Sequence, residues 1–234
     1  MPSDQPQAPP VPSTQKVWDA PTRLVHWLFV FCVAFSWWTV ENDRMDWHYL
    51  SGLTLLGLLV FRIYWGFAGP ETARFAQFVK GPRAVIGYMP KLLKPNYRAA
   101  FGHNPLGALS VVAILGALIT QVTLGLFASD TDGLYSGPLS SYVDYDVSKD
   151  AGDLHEDAFN ILLILIGLHI AAIFFYLVVK RINLIGPMLT GRRKAENVEG
   201  PPSGIAVVPI WRFLIGVALA ALIVFLIVWI PTTR

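Results

Sequence analysis

Five long apolar blocks are the feature that most constrains how this chain folds. They cover roughly residues 20–40, 48–68, 105–127, 155–179 and 206–230 of the 234 residues. A helix needs about 20 predominantly apolar residues to cross a bilayer. Charged residues make up only 15% of the chain, whereas a soluble domain has about 25%. The sequence therefore predicts an all-α integral membrane protein in contact with the lipid bilayer, and we expect no nucleic-acid partner.

The basic residues predict the orientation of the five helices. Cytoplasmic loops of membrane proteins carry an excess of Lys and Arg. With the N-terminus inside, fifteen of the eighteen basic residues fall in cytoplasmic segments or near cytoplasmic helix ends, and only Arg44, Lys149 and Arg234 lie outside. We therefore expect a multi-pass protein with a cytoplasmic N-terminus and a C-terminus on the opposite side of the membrane.

Breaks between the apolar blocks predict four regions. Residues 1–16 are Pro-rich, lack the basic start of a signal peptide and are expected to be a disordered cytoplasmic tail. Residues 17–182 form the main membrane domain, 183–204 a cytoplasmic linker and 205–234 an additional transmembrane helix. In the long inner loop we expect a short interfacial helix near residues 83–93. Asn104 and Pro105 are typical of a helix start.

The five histidines all lie in or at the edges of the apolar blocks. They are His26, His48, His103, His155 and His169. Ionisable side chains inside a membrane are costly and indicate function. Fourteen residues separate His155 from His169, about 40° short of four full helical turns, so the two side chains share a helix face. Because they lie about 21 Å apart along the axis, they cannot bind one metal ion and instead indicate two cofactors at two depths.

Matching the histidines by depth gives two pairs. His48 and His155 are both expected near the outer surface, and His26 and His169 both toward the inner side. Two imidazoles that face each other in a helical bundle, with no thiolate nearby, suit the axial ligation of a low-spin b-type haem. We therefore predict two haem b groups with both axial positions filled, which would carry electrons without binding substrate at iron. No catalytic residue is predicted.

Two further residues are weaker candidates for cofactor binding. Arg23 lies three residues before His26 and either pairs with a propionate of the inner haem or serves membrane topology alone. His103 either makes hydrogen bonds at a helix start, contacts a haem propionate, or handles protons beside a quinone. If the histidines bind no haem, a haem-free transporter or membrane anchor is the alternative. The sequence shows no broken helix pair at mid-membrane, which argues against a transporter.

Several short motifs also carry a family resemblance. They are VWDAPTRLVHW, WHYLSG, FRIYWGFAGP, ARFAQFVKGPRAVIGY, FGHNPLGAL, LGLFASD and the closing H-x13-H. Over residues 17–180 these motifs together resemble the bacterial cytochrome b561 family, which is grouped with the b-type cytochrome subunits of nickel–iron hydrogenases. The resemblance implies a four-helix bundle with two b haems and maps the family's ligand positions onto His26, His48, His155 and His169. The fifth apolar block departs from this pattern.

The resemblance implies a function in electron transfer at the bacterial inner membrane. We expect electrons to pass between the quinone pool and a periplasmic redox protein, such as a c-type cytochrome or a hydrogenase. The protein would then be an electron carrier or an oxidoreductase subunit rather than a complete enzyme. The alternative is a self-standing quinone-linked oxidoreductase that accepts electrons from a small molecule such as superoxide.

The outer loop before the fourth apolar block is strongly acidic. Half of the sixteen acidic residues fall between Asp130 and Asp157. Such a surface would steer a basic electron-transfer partner toward the outer haem. Exported loops avoid Lys and Arg in any case, so a solvated loop explains the same composition.

Overall fold

The computed structural model describes residues 14–94, 100–130, 135–194 and 205–232. Within these residues the helices are α1 (Ala20–Glu41), α2 (Met45–Ala68), α3 (Phe75–Phe78), α4 (Pro82–Leu93), α5 (Pro105–Phe127), α6 (Tyr145–Val178), α7 (Ile185–Thr190) and α8 (Ile210–Thr232). Two short 3-10 helices cover Glu71–Ala73 and Ser140–Tyr142, and strands β1 (Thr14–Lys16) and β2 (Arg192–Lys194) form a two-stranded sheet. Among the predicted features, residues 1–13 of the tail, Arg98, residues 195–204 of the linker and Arg234 lie outside the described residues.

Five helices are long and apolar enough to cross a membrane: α1, α2, α5, α6 and α8. The prediction of an all-α membrane protein with five spans is therefore confirmed. Four of the five both begin and end within four residues of the predicted blocks, because long apolar runs identify transmembrane helices directly.

Helix α2 is the centre of the bundle. It packs against α1, α5 and α8, while α6 packs against α5. Side chains from four helices meet in one buried cluster that includes Cys32, Leu55, Leu118 and Leu162. Leu162 is 1% exposed and lies seven residues from each histidine of α6. The core of the bundle therefore separates the two predicted histidine levels.

Helix α6 extends well beyond its apolar block. It begins at Tyr145, ten residues before the predicted span, and its 34 residues are about 51 Å long, whereas the hydrocarbon core is about 30 Å thick. The Ser148 hydroxyl donates a hydrogen bond to the Phe127 carbonyl at 2.7 Å, which ties the extension to the end of α5. Part of the acidic segment predicted as loop is therefore helical, since a helix does not need apolar side chains to continue into water.

The sheet joins the predicted tail to the predicted linker. Strands β1 and β2 are antiparallel, with Gln15 opposite Arg193. The Val17 N–H donates to the carbonyl of Gly191 at 2.8 Å, and Gly191 has a φ of 80°, a conformation that favours glycine. The last three residues of the expected tail and part of the expected linker are thus ordered by pairing with each other. Three-residue strands that pair across most of the chain leave no periodic signal in the sequence.

The inner loop is docked to the bundle at the start of α5. Helix α4 matches the predicted interfacial helix, and Asn104 is the N-cap of α5, its side chain accepting a hydrogen bond from the Gly107 N–H at 2.8 Å. The Asn104 amide also donates to the Tyr176 hydroxyl at 2.9 Å, and this hydroxyl lies 3.1 Å from that of Tyr88. One hydrogen-bonded chain therefore connects α4, α5 and α6.

Helix α8 packs on α2 at two glycines with different amounts of space. A Cβ at Gly216 would lie 2.8 Å from Tyr64 Cδ1 and 3.0 Å from the ring of Phe61. A Cβ at Gly57 would lie 3.5 Å from Val224, which is ordinary van der Waals contact.

We expect Gly216→Ala to loosen α8 and to destabilise the protein by about 1–3 kcal/mol, because the added methyl group overlaps two aromatic rings. Gly57→Ala is the matched control and should change stability by less. Thermal unfolding of both variants in the same detergent checks this, and equal stability of the two variants would contradict the described packing.

Candidate functional site

The structure brings two histidines together at one end of the bundle. His48 lies in the first turn of α2 and His155 lies in α6. Their ring centroids are 6.1 Å apart and their ring planes are nearly perpendicular, at 82°. The two residues predicted as the outer pair are therefore adjacent on facing helices.

Backbone carbonyls orient both rings of this outer pair. His48 Nδ1 lies 3.1 Å from the carbonyl oxygen of Ser36, and His155 Nδ1 lies 2.9 Å from that of Gln121. A carbonyl only accepts hydrogen bonds, so each Nδ1 carries the proton and donates it. Each Nε2 is consequently the nitrogen that carries the lone pair. A histidine that binds a metal through one nitrogen commonly donates its other N–H in this way.

Gln121 and Gly125, on the same face of α5, surround the His155 ring. The Gln121 side-chain nitrogen lies 3.0 Å from His155 Nε2, where its N–H donates to the lone pair. A Cβ at Gly125 would lie only 2.8 Å from His155 Cε1. The ring position therefore depends on a glycine here, and binding a metal at Nε2 requires the Gln121 amide to move aside.

The predicted inner pair consists of His26 in α1 and His169 in α6. The Ser110 hydroxyl of α5 lies 3.1 Å from His169 Nδ1. His26 Nδ1 is buried without a hydrogen-bond partner among the described residues, and the His26 ring contacts that of Trp27 edge-on at 5.2 Å.

His103 lies between two aromatic rings at the start of α5. Its ring centroid is 4.6 Å from that of Trp18 and 4.4 Å from that of Phe78. Burial, followed by the positive charge of Arg62, lowers the pKa of His103 to about 3. The ring is therefore neutral at pH 7 in this arrangement. Its contact with a haem propionate and its role beside a quinone both stay predictions.

Arg23 contacts the end of α7 and the glycine that follows it. Its guanidinium donates a hydrogen bond to the carbonyl of Leu189, and the Arg23 side chain packs against Gly191. This contact connects α1 to the end of α7. Pairing of Arg23 with a propionate stays a prediction.

An apolar groove of about 470 Å³ lies near His26, between α1, α7 and the start of α8. Its lining includes Leu24, Trp27, Leu189 and Phe213. This volume is within the range of small-molecule pockets. The groove adjoins His26 through the Trp27 ring.

Several polar residues near these pairs were not identified as candidates from the sequence. Arg62 is 6% exposed, donates to the Ala73 carbonyl at 3.4 Å and lies 4.9 Å from the Phe75 ring centroid. Asp19 accepts a hydrogen bond from the Trp65 indole at 2.8 Å. Arg62 and Gln121 could have been identified from the sequence, because each is a polar residue within an otherwise apolar helix. Ser110 gave no such signal, because small hydroxyl residues are common where membrane helices pack.

The arrangement differs from a metal site built from protein ligands alone. Within the described residues, no three or more His, Cys, Asp or Glu side chains come together as a metal-binding group. The outer pair instead offers two adjacent imidazoles, which leaves the other coordination positions of a metal ion to a planar cofactor such as a porphyrin.

Comparison with known proteins gives one family. Residues 17–191 match the family described as prokaryotic cytochrome b561. No curated protein and no solved structure matches the chain. The family match covers all four paired histidines and ends before α8, so the additional helix lies outside the family's shared region.

We expect Gly125→Ala to lower the haem b content by up to one haem per polypeptide, because the new methyl group would displace the His155 ring. Gly167→Ala on α6 is the control, since a Cβ there meets nothing within 4 Å. The pyridine haemochromogen assay on purified protein measures haem content. An equal decrease in haem content in both variants would show that Gly125 has no specific role at His155.

Proposed function

The chain belongs to the prokaryotic cytochrome b561 family, and from this premise we propose that it binds two haem b groups through four histidines. As a family member it is a membrane b-type cytochrome that takes part in electron transfer. The proposed axial ligands are His48 and His155 for the outer haem, and His26 and His169 for the inner haem.

The spacing of His48 and His155 carries this proposal. Imidazole–metal bonds are about 2.0–2.1 Å long, so two imidazoles bound through Nε2 to one ion have ring centroids about 6 Å apart. The 6.1 Å separation of the two rings fits this requirement. Their protonation fits as well, because both Nδ1 atoms donate to carbonyls and both Nε2 atoms retain a lone pair.

The chemistry of the inner pair is the same in kind. His26 in α1 and His169 in α6 offer imidazole nitrogens without a nearby thiolate: Cys32, the only cysteine in the sequence, packs in the central core. Ser110 provides the hydrogen-bonding partner for His169 Nδ1. Placing these polar rings in a transmembrane bundle costs free energy, which indicates that they serve a function.

The proposed haems supply one-electron redox chemistry, and the residues of the chain determine where electrons enter and leave. Each haem would be held by two imidazoles, from His48 and His155 or from His26 and His169, and would then transfer electrons without binding substrate. The apolar core around Leu162 excludes water between the two levels. Electrons would then cross the membrane from one level to the other without a coupled ligand exchange.

We propose that the inner haem exchanges electrons with a quinone in the apolar groove. The groove is apolar enough for an isoprenoid quinone, and Trp27 connects it to His26. With the N-terminus in the cytoplasm, the groove opens at the cytoplasmic side, where protons for quinone chemistry are available. The positions of β1 and β2 on one side of the bundle agree with an even number of spans between them.

An acidic stripe on α6 supports a basic periplasmic redox partner at the other side. Asp146, Asp150, Asp153 and Asp157 are all exposed and follow the spacing of one helix face. His155 lies on the opposite face of α6, toward the bundle. Such a stripe favours association with a positively charged protein, such as a c-type cytochrome, at low ionic strength.

We expect wild-type protein to contain two haem b groups per polypeptide. His48→Ala and His155→Ala should each lose the same haem, and His26→Ala and His169→Ala should each lose the other. Haem content and reduced-minus-oxidised spectra measure this, with Thr120→Ala, at an exposed position of α5, as the control that retains both spectral components. Loss of different components by His48→Ala and His155→Ala would refute the proposed pairing.

We expect Leu189→Trp to raise the KM for reduction of the haems by a short-chain quinol at least several-fold, because the indole fills part of the groove. Leu109→Trp, on an exposed position of α5, is the matched control. Both variants should keep wild-type haem content. An unchanged KM in Leu189→Trp would place the quinone elsewhere.

The alternative of a self-standing oxidoreductase makes a different prediction. The isolated protein would then reduce quinone with superoxide as the electron donor and without a partner protein. Reduction of the haems only in the presence of a basic redox protein, with a rate that falls as salt is added, favours the proposed partner.

A further inference from the structure

Helix α5 carries no histidine between Pro105 and Phe127, yet it contacts both histidines of α6. Ser110 contacts His169 and Gln121 contacts His155, in each case at Nδ1. The two residues are eleven positions apart, about 20° beyond three full turns, so they share one face of α5. This face of α5 therefore orients the two imidazoles that α6 presents.

The two contacts differ in the group that makes them. At His155 the acceptor is the backbone carbonyl of Gln121, which no substitution removes. At His169 the partner is the Ser110 hydroxyl, which depends on the side chain. His26, the other residue of the inner pair, has no Nδ1 partner among the described residues. The inner pair thus has one side-chain hydrogen bond, which a single substitution can remove.

We propose that Ser110 is a positioning residue that acts through His169 to set the redox potential of the inner haem; this inference rests on the proposed ligation by His169. With the metal on Nε2, Nδ1 keeps its proton and the Ser110 hydroxyl must accept it. An accepted hydrogen bond raises the basicity of a ligating imidazole. A more basic ligand stabilises ferric relative to ferrous iron, and therefore lowers the potential of the inner haem.

Packing is the competing explanation for Ser110. Small residues let membrane helices approach closely, and α5 packs directly on α6. A role in packing alone predicts that Ser110→Ala, which keeps the size small, has no effect on the redox potential. A role in hydrogen bonding predicts that Ser110→Ala shifts the potential of the inner haem. Ser110→Thr, which keeps the hydroxyl, should leave this potential close to that of the wild type.

The test is an optical redox titration of the full-length protein with both haems bound. The inner component is the one that His26→Ala removes. We expect Ser110→Ala to raise the ferrous-to-ferric ratio of the inner haem three- to tenfold at a fixed potential, where tenfold corresponds to 59 mV for one electron. The outer component should stay unchanged. Thr120→Ala, at an exposed position of the same helix, is the matched control and should shift neither component.

The outcomes separate this inference from the proposed function. Two haems with an unchanged inner component in Ser110→Ala would overturn the role of Ser110 and leave the ligation intact. An equal shift in the potentials of both haems would overturn it as well. So would a shift of the inner potential in Ser110→Thr as large as that in Ser110→Ala. Loss of the inner haem in the Ala variant but not in the Thr variant supports it, whereas loss in both indicates packing. Wild-type protein without two haems would instead refute the proposed function.

Discussion

The hydrogen bond from a buried imidazole N–H to a neighbouring helix is the interaction on which the site depends. In hydrocarbon there is no water to satisfy a ring nitrogen, so a histidine nitrogen without a partner is costly there. At His48 and His155 the carbonyls of Ser36 and Gln121 satisfy Nδ1. The same bonds leave Nε2 as the metal-binding atom. Satisfying one nitrogen from the backbone thus prepares the other for a cofactor.

The need for a hydrogen-bond partner at each imidazole explains why some helices carry histidines and another orients them. Helix α6 presents two histidines on one face, α1 and α2 present one each, and α5 orients the two on α6. Helix α2 lies at the centre and also packs against α8 through Phe61 and Tyr64. Because α8 contacts the outer side of α2, the fifth helix is added without entering the four-helix core around Leu162.

Much of the fold could be predicted because membrane helices are encoded by continuous apolar runs. The depth argument also paired His48 with His155, which the structure places side by side. The early start of α6 was missed, because Tyr145–Leu154 is polar and its helix is fixed by contacts such as Ser148 with Phe127. Ser110 was missed because its contact with His169 depends on which helix lies opposite, and that information is absent from local sequence. Gln121 stands out as a polar residue within an apolar helix, but its contact with His155 likewise depends on the facing helix.

The most direct test of the account is the electron paramagnetic resonance spectrum of the oxidised protein. We expect two ferric haems per polypeptide, both low-spin, because two imidazoles would bind the iron of each. The outer signal should be strongly anisotropic, since the rings of His48 and His155 are nearly perpendicular. A dominant high-spin signal in protein with full haem occupancy, or one low-spin haem per chain, would contradict the claim that two histidines bind the iron of each haem.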